Sequence, residues 1–77
     1  MTEVEVLLKT EQDVIGMTGI ISKYPYDADM ILGRNVVDAK SILGVLSIGI
    51  GKMAKLCINA EDTDALIQEL SPYLCQA

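Results

Sequence analysis

The residues that could carry chemistry in this chain are hydroxyl groups, thiols and carboxylates, because no imidazole is present. The 77 residues include no histidine, two cysteines, and 11 aspartates and glutamates. Without histidine the chain can form no Ser-His-Asp triad, no histidine-containing metal site and no phosphohistidine relay. Those classes of chemistry are therefore excluded from the start.

The two thiols, Cys57 and Cys75, do not form a Cys-x-x-Cys pair. A structural zinc site needs four ligands at paired spacing, so we expect neither a metal nor a cofactor. Cys57 alternates with Lys55 and Asn59 in a strand-like run, which is typical of a small packing residue. No export signal precedes the cysteines, so we expect reduced thiols and a cytoplasmic location.

A pair of glycines before a lysine, Gly49 and Gly51 before Lys52, invites comparison with a phosphate-binding loop. That loop requires a glycine where this chain has Leu46, and a serine or threonine where it has Met53. We therefore interpret the two glycines as the end of a short helix.

Ser41 is the hydroxyl group in the most informative position, because an apolar, helix-like segment follows it. Its side chain can cap that helix by accepting a hydrogen bond from a backbone amide. A phosphate on it would meet free amides and the positive end of the helix dipole. Residues 39–60 carry three lysines and no acidic residue, so we expect one cationic patch here. Capping alone remains the simpler interpretation of Ser41.

Composition bounds the class of protein. The length fits a single domain, residues 1–77, and an apolar fraction of 51% excludes a disordered tail. No apolar run approaches the roughly 18 residues that a membrane helix needs, so we expect no membrane insertion. The net charge of −5 makes nucleic acid a poor partner.

Hydrophobic periodicity predicts the element order β-α-β-β-α-β-α. The predicted strands are 2–9, 28–32, 35–39 and 53–59, and the predicted helices begin at Thr10, at Ser41, and at Asp62 or Thr63. Four strands and three helices in so short a chain indicate a two-layer α+β fold, with the helices on one face of one sheet. The other face would then be in contact with water.

Glycine and proline mark several boundaries in this pattern. Gly33-Arg34 is a hairpin signal, and Pro72 should end or kink the last helix. Gly16 and Gly19 weaken the first helix, and we expect them to let it lie close to the sheet.

Residues 37–52 resemble the HPr family, the small phosphocarriers of the bacterial sugar phosphotransferase system. The likeness rests on Lys40-Ser41-Ile42, which matches the family's seryl-site signature, on the apolar helix after it, and on the glycine-containing exit. Weaker likenesses are Ser22-Lys23-Tyr24, Asp27-Ala28-Asp29 and Asp64-Ala65-Leu66. The resemblance covers residues 22–74 and implies an open-faced β-sandwich, a four-stranded antiparallel sheet with three helices on one face.

The chain departs from this family where the family carries its phosphate. HPr proteins have a His-x-Arg-Pro motif at the start of the first helix, and its histidine takes phosphate from enzyme I. Here the place of that histidine falls near Thr10, and the arginine and proline are missing too. A threonine ester would not pass its phosphate onward as a labile phosphohistidine does. We therefore expect no catalytic residue and no enzyme activity.

The resemblance does imply a role for Ser41. In HPr proteins of Gram-positive bacteria a dedicated kinase phosphorylates the matching serine, and the product binds a catabolite-control repressor. The resemblance thus implies a regulatory or adaptor module whose partners are an HPr kinase-like enzyme, a transcriptional regulator or a phosphotransferase-system component. The candidate partner-binding residues are Lys40, Ile42, Leu43 and Leu46.

Two alternatives remain open at this point. The chain could transfer phosphate through another acceptor, such as Thr10 or Asp13. It could also be a protein-binding domain without phosphate chemistry.

Overall fold

The computed structural model describes residues 1–48 and 50–75, so Gly49 and its predicted role in closing a helix lie outside the described residues. The predicted element order is confirmed. The strands are β1 (Thr2–Leu7), β2 (Ala28–Leu32), β3 (Asn35–Asp38) and β4 (Met53–Ile58), and the helices are α1 (Glu11–Ser22), α2 (Ile42–Ile48) and α3 (Asp64–Glu69), with a 3-10 turn at Ser71–Tyr73.

The four strands form one antiparallel sheet in the order β1-β4-β2-β3. Alternate residues of β1 separate the two faces, because Val6 is buried whereas Glu3 and Glu5 are exposed. Val6 belongs to the same apolar core as Met17 of α1 and Leu66 of α3. The helices therefore cover one face of the sheet, and the predicted α+β open-faced β-sandwich is confirmed.

The core lies between the sheet and the helices. The sheet contributes side chains that point towards the helices. The helices contribute residues at spacings of three and four, as amphipathic helices do. Its largest fully buried side chains are Met17, Ile21, Leu56, Ile58, Leu66, Leu70, Val6, Val14 and Val45. No helix in the described part of the chain is long and apolar enough to cross a bilayer.

The β2–β3 hairpin turns at Gly33-Arg34, as the sequence predicts. Gly33 has a φ of +60°, and no residue other than glycine has a positive φ among those described. A positive φ at Gly33 without one at Arg34 is typical of a type II′ turn, whose twist matches that of the strands it joins. The turn pairs Leu32 with Asn35.

The structure differs from the expectation for Gly16. A Cβ atom at Gly16 would collide with the hydroxyl group of Tyr73, whereas one at Gly19 would meet nothing within 4 Å. Gly16 therefore makes room for a tyrosine ring from the C-terminal turn, and neither glycine serves a close approach to the sheet. Pattern alone could not reveal this, because 57 positions separate the two residues in the sequence.

The C-terminal segment returns to the sheet after Pro72. Leu74 forms a β-bridge with Val6, and the Cys75 amide donates to the Glu5 carbonyl oxygen at 2.8 Å. The outer edge of β1 is thus covered over these positions. The sequence predicted only that Pro72 would end or kink the last helix before Tyr73.

Candidate functional site

Ser41 caps α2, as predicted. Its Oγ accepts a hydrogen bond from the Gly44 amide at 3.1 Å, and its carbonyl oxygen accepts one from the Val45 amide at 2.9 Å. This is the geometry by which a side-chain oxygen satisfies an amide of the first turn. The side chain is half-buried.

Asp38, the last residue of β3, stabilises the turn that precedes Ser41. The Asp38 carboxylate accepts from the Lys40 amide at 2.9 Å, and its carbonyl oxygen accepts from the Ser41 amide at 3.0 Å. Aspartate commonly closes such turns through its own side chain. The position of Ser41 relative to the sheet edge is thereby fixed by backbone and side-chain bonds together.

Lys40 ties this turn to the first helix. Its ammonium donates to the carbonyl oxygen of Tyr24 at 2.9 Å, just beyond the end of α1. A cation at a helix C-terminus is favourable because it faces the negative end of the dipole. At the other end of α2, the Gly51 amide donates to the Leu8 carbonyl oxygen at 2.7 Å, just before α1. Helices α1 and α2 therefore run antiparallel.

The predicted partner-binding residues of α2 divide into an exposed and a packed group. Ile42 is 43% exposed and Leu43 is 80% exposed. Leu46 is only partly exposed, because it packs against the core that includes Val45. Two of the three apolar candidates are thus accessible beside Ser41.

Sequence analysis missed one exposed apolar side chain of the first helix. Ile15 of α1 is 49% exposed. The core lies on the side of α1 that carries Val14 and Met17, and Tyr73 lies on the side of Gly16, so Ile15 is on a side that neither of them covers. The available signal was the spacing of Val14, Met17 and Ile21, which recur every three to four residues and leave Ile15 outside their row.

Thr10, the approximate position of the missing histidine, caps α1. Its Oγ1 accepts from the Asp13 amide at 3.1 Å, and the Asp13 carboxylate accepts from the Lys9 amide at 2.8 Å. Thr10 is exposed and begins α1, whereas Ser41 lies near the end of α1. The two positions therefore stand at opposite ends of the helix pair and do not form one site.

The predicted cationic patch is wrong. Lys55 lies on the open face of the sheet, on the side away from the helices, and its ammonium is 3.7 Å from the Glu3 carboxylate. The sheet thus separates Lys55 from α2 and from Lys40. Lys40 is the cation next to Ser41, and its ammonium is bound to a carbonyl oxygen.

Tyr24 belongs to a hydrogen-bonded cluster with the last helix. Its hydroxyl donates to one carboxylate oxygen of Glu69, and the Lys23 ammonium lies 2.5 Å from the other. The bond to Glu69 raises the pKa of Tyr24, and the bonds from Lys23 and then Tyr24 lower the pKa of Glu69. The cluster connects the end of α1 with α3, beside the carbonyl group that Lys40 binds.

Cys57 is not placed for nucleophilic chemistry. Cys57 is buried on the open sheet face, where burial, followed by the nearby Glu3 carboxylate, raises the pKa of its thiol. A raised pKa disfavours the reactive thiolate. Among residues 1–48 and 50–75, no three histidine, cysteine or acidic side chains are grouped to hold a metal ion.

A protein-family model matches most of this chain. It is PTS-HPr, described as the phosphorylation site of the HPr component of the phosphotransferase system, and it matches residues 17–74. The matched range includes Ser41 and begins after Thr10. No curated protein sequence matches the chain.

Solved structures of HPr proteins share this fold. HPr-C-His from Thermoanaerobacter tengcongensis is 25% identical with a TM-score of 0.76, over 94% of this chain and 89% of that one. A phosphocarrier protein HPr from Bacillus anthracis str. Ames is 18% identical with a TM-score of 0.72, over 96% of each chain. The histidine-containing phosphocarrier protein of a mycoplasma is 15% identical with a TM-score of 0.73, over 92% and 89%.

Proposed function

Because the chain belongs to the HPr family of the phosphotransferase system, we propose that it is a regulatory or adaptor module of that system. In this proposal it acts through Ser41 and helix α2, and it neither carries phosphate on a histidine nor works as an enzyme. It does so as one cytoplasmic domain, residues 1–77. The observation that carries the proposal is the position of Ser41 beside two accessible apolar side chains, Ile42 and Leu43.

The N-terminus of α1 supports the loss of phosphocarrier chemistry. The sequence contains no histidine. The other acceptors considered there, Thr10 and Asp13, already serve as cap residues. A phosphate ester on Thr10 would also not pass its phosphate onward as a labile phosphohistidine does, which disfavours Thr10 as a carrier.

A phosphate on Ser41 would change the surface of α2 in a way that a partner can read. It adds about −1.5 to −2 units of charge at neutral pH and three strong acceptor oxygens. The Gly44 amide, which now donates to Ser41 Oγ, would be one donor available to those oxygens. The new charge would stand next to Ile42 and Leu43, so charge and apolar contact would be presented together.

The partner in this proposal is a protein with matching chemistry. It would offer an apolar pocket for Leu43, and arginine or lysine beside it for the phosphate. An HPr kinase-like enzyme, a transcriptional regulator and a phosphotransferase-system component are the candidate classes.

Intact-mass measurement of the purified protein tests the proposal. One sample receives HPr kinase and ATP, and the other receives enzyme I and phosphoenolpyruvate. We expect one phosphate from the kinase only, its loss in Ser41→Ala, and its retention in Ser47→Ala. Ser47 is the matched control because it is an exposed serine in the same helix.

The other outcomes identify the alternatives. Transfer from enzyme I would contradict the proposal and indicate an acceptor other than histidine. No phosphate from either donor would leave a protein-binding domain without phosphate chemistry. Retention of the kinase product in Ser41→Ala would contradict the assignment of the site.

A further inference from the structure

The two edge strands of the sheet, β1 and β3, differ in whether other residues pair with their outer side. The outer edge of β1 is covered where Leu74 bridges Val6 and Cys75 binds Glu5. Strand β3 forms the other edge, and no strand of the described residues pairs with its outer side. An uncovered edge presents backbone groups that can pair with another chain.

The outward backbone groups of β3 can be identified from its register. The Ala39 amide donates to Ala28, and Leu32 closes the hairpin opposite Asn35. Hydrogen-bonded pairs alternate in an antiparallel ladder, so Val37 also faces β2, whereas Val36 and Asp38 face away from it. The Asp38 carbonyl oxygen already accepts from Ser41. Both backbone groups of Val36 and the Asp38 amide therefore point outward.

The side chains along this edge form a self-complementary pattern. Val36 is 58% exposed. Arg34 lies two residues before it and Asp38 two residues after it, and both are exposed. Arg34 makes no ion pair with any residue that the structure describes. Lysine and proline, which commonly block sheet edges, are missing from β3.

We propose that β3 is a self-association edge that pairs antiparallel with β3 of a second copy of this chain, about a two-fold axis at Val36. In this register each Val36 donates to and accepts from the other, as a hydrogen-bonded pair. Arg34 of each copy then lies opposite Asp38 of the other, so two ion pairs flank one apolar pair. Two sheets of four strands join into one continuous sheet.

Charge complementarity is the reason that the occupant is a second copy. A strand with positive residues on both sides of Val36 would repel a second copy in this arrangement. Arg34 and Asp38 have opposite charges, so each lies opposite its counter-charge in the second copy. The paired segment is short, because β3 has four residues. It buries much less area than the roughly 1,200 Å² of a stable specific complex, so the association is weak and visible only at high concentration.

Amide NMR and sedimentation over about a hundredfold range of protein concentration test this. We expect the average mass to rise with concentration, and the Val36 and Asp38 amide signals to shift more than that of Val37. A mass that stays monomeric over the whole range would overturn the proposal. Signals that shift mainly on α2, or on β1 and β4, would overturn it too, since they would indicate another surface.

Charge variants make the test specific to this register. Arg34→Glu places a carboxylate opposite Asp38 of the second copy, so we expect association to weaken about tenfold. Adding Asp38→Asn removes that repulsion and keeps an oxygen for the Lys40 amide, so it should restore part of the loss. Lys52→Glu is the matched control, an equal charge change at an exposed position outside β3. Equal weakening by Arg34→Glu and Lys52→Glu would contradict the assigned register.

Discussion

The Lys40 ammonium donates a hydrogen bond to the Tyr24 carbonyl oxygen, which ties the turn before Ser41 to the end of α1. The same Tyr24 reaches Glu69 of α3 through its hydroxyl. Residues from three parts of the chain thus hold the start of α2, the element that the proposed regulatory function uses. The stability of this arrangement can be tested residue by residue.

Lys40→Met should destabilise the fold by about 1 kcal/mol. The change keeps most of the aliphatic stem but removes a hydrogen bond from a charged donor to a half-buried carbonyl group. The free energy of unfolding in urea measures the effect. Lys52→Met, at an exposed position, should change it by less than about 0.5 kcal/mol. Equal effects would show that the bond to Tyr24 contributes nothing measurable.

Ser41→Ala should cost about 1 kcal/mol of unfolding free energy, because the Gly44 amide loses its acceptor. Ser41→Asn should recover most of that loss, since asparagine caps equally well. Urea denaturation of the three proteins provides the comparison. A fully stable alanine variant would contradict the capping role, and it would leave phosphorylation as the stronger reason for a serine at this position.

Gly16→Ala and Gly19→Ala should have opposite effects although both lie in α1. Gly19 has free space around its missing Cβ, so alanine should stabilise the helix by about 0.5–1 kcal/mol. At Gly16 the new methyl group displaces the Tyr73 ring, and overpacking should cost about 1–3 kcal/mol. Thermal unfolding with Tyr73→Leu added should relieve the Gly16→Ala defect. A stabilising Gly16→Ala change would contradict the contact.

The Glu69 cluster should make stability depend on pH in a defined direction. Bonds from Lys23 and Tyr24 lower the pKa of Glu69 from its ordinary 4.5 in the folded protein. A carboxyl group with a depressed pKa stabilises the fold above its unfolded pKa, and that contribution is lost as the pH falls through the folded pKa. Wild type should therefore exceed Glu69→Gln in stability at neutral pH, with the difference vanishing under acid.

Urea midpoints at a series of pH values measure that difference. Glu61→Gln is the control, because it neutralises an exposed acidic residue outside the cluster. A difference between wild type and Glu69→Gln that persists unchanged below pH 4.5 would rule out ionisation of Glu69 as its source.

The element order could be predicted from the sequence because its signals are local. Alternation marked β1 and β4, and the caps Thr10 and Ser41 marked the starts of α1 and α2 within a residue. Gly33 indicated the hairpin turn, because glycine readily adopts the positive φ that the turn requires. Each signal depends on residues within about one turn or one strand, which is the range over which propensity and pattern act.

The lack of imidazole chemistry, the two-layer order of elements and the position of Ser41 at a helix start could all be read from the sequence. Which residues share a surface depends on the packing of segments that are distant in the sequence. In the folded protein Lys55 lies on the face opposite the helices, Tyr73 packs against Gly16, and β3 is an uncovered edge among the described residues. These relationships arise when distant segments pack together, and Lys55 lies away from the helices because successive residues of a strand point to opposite faces.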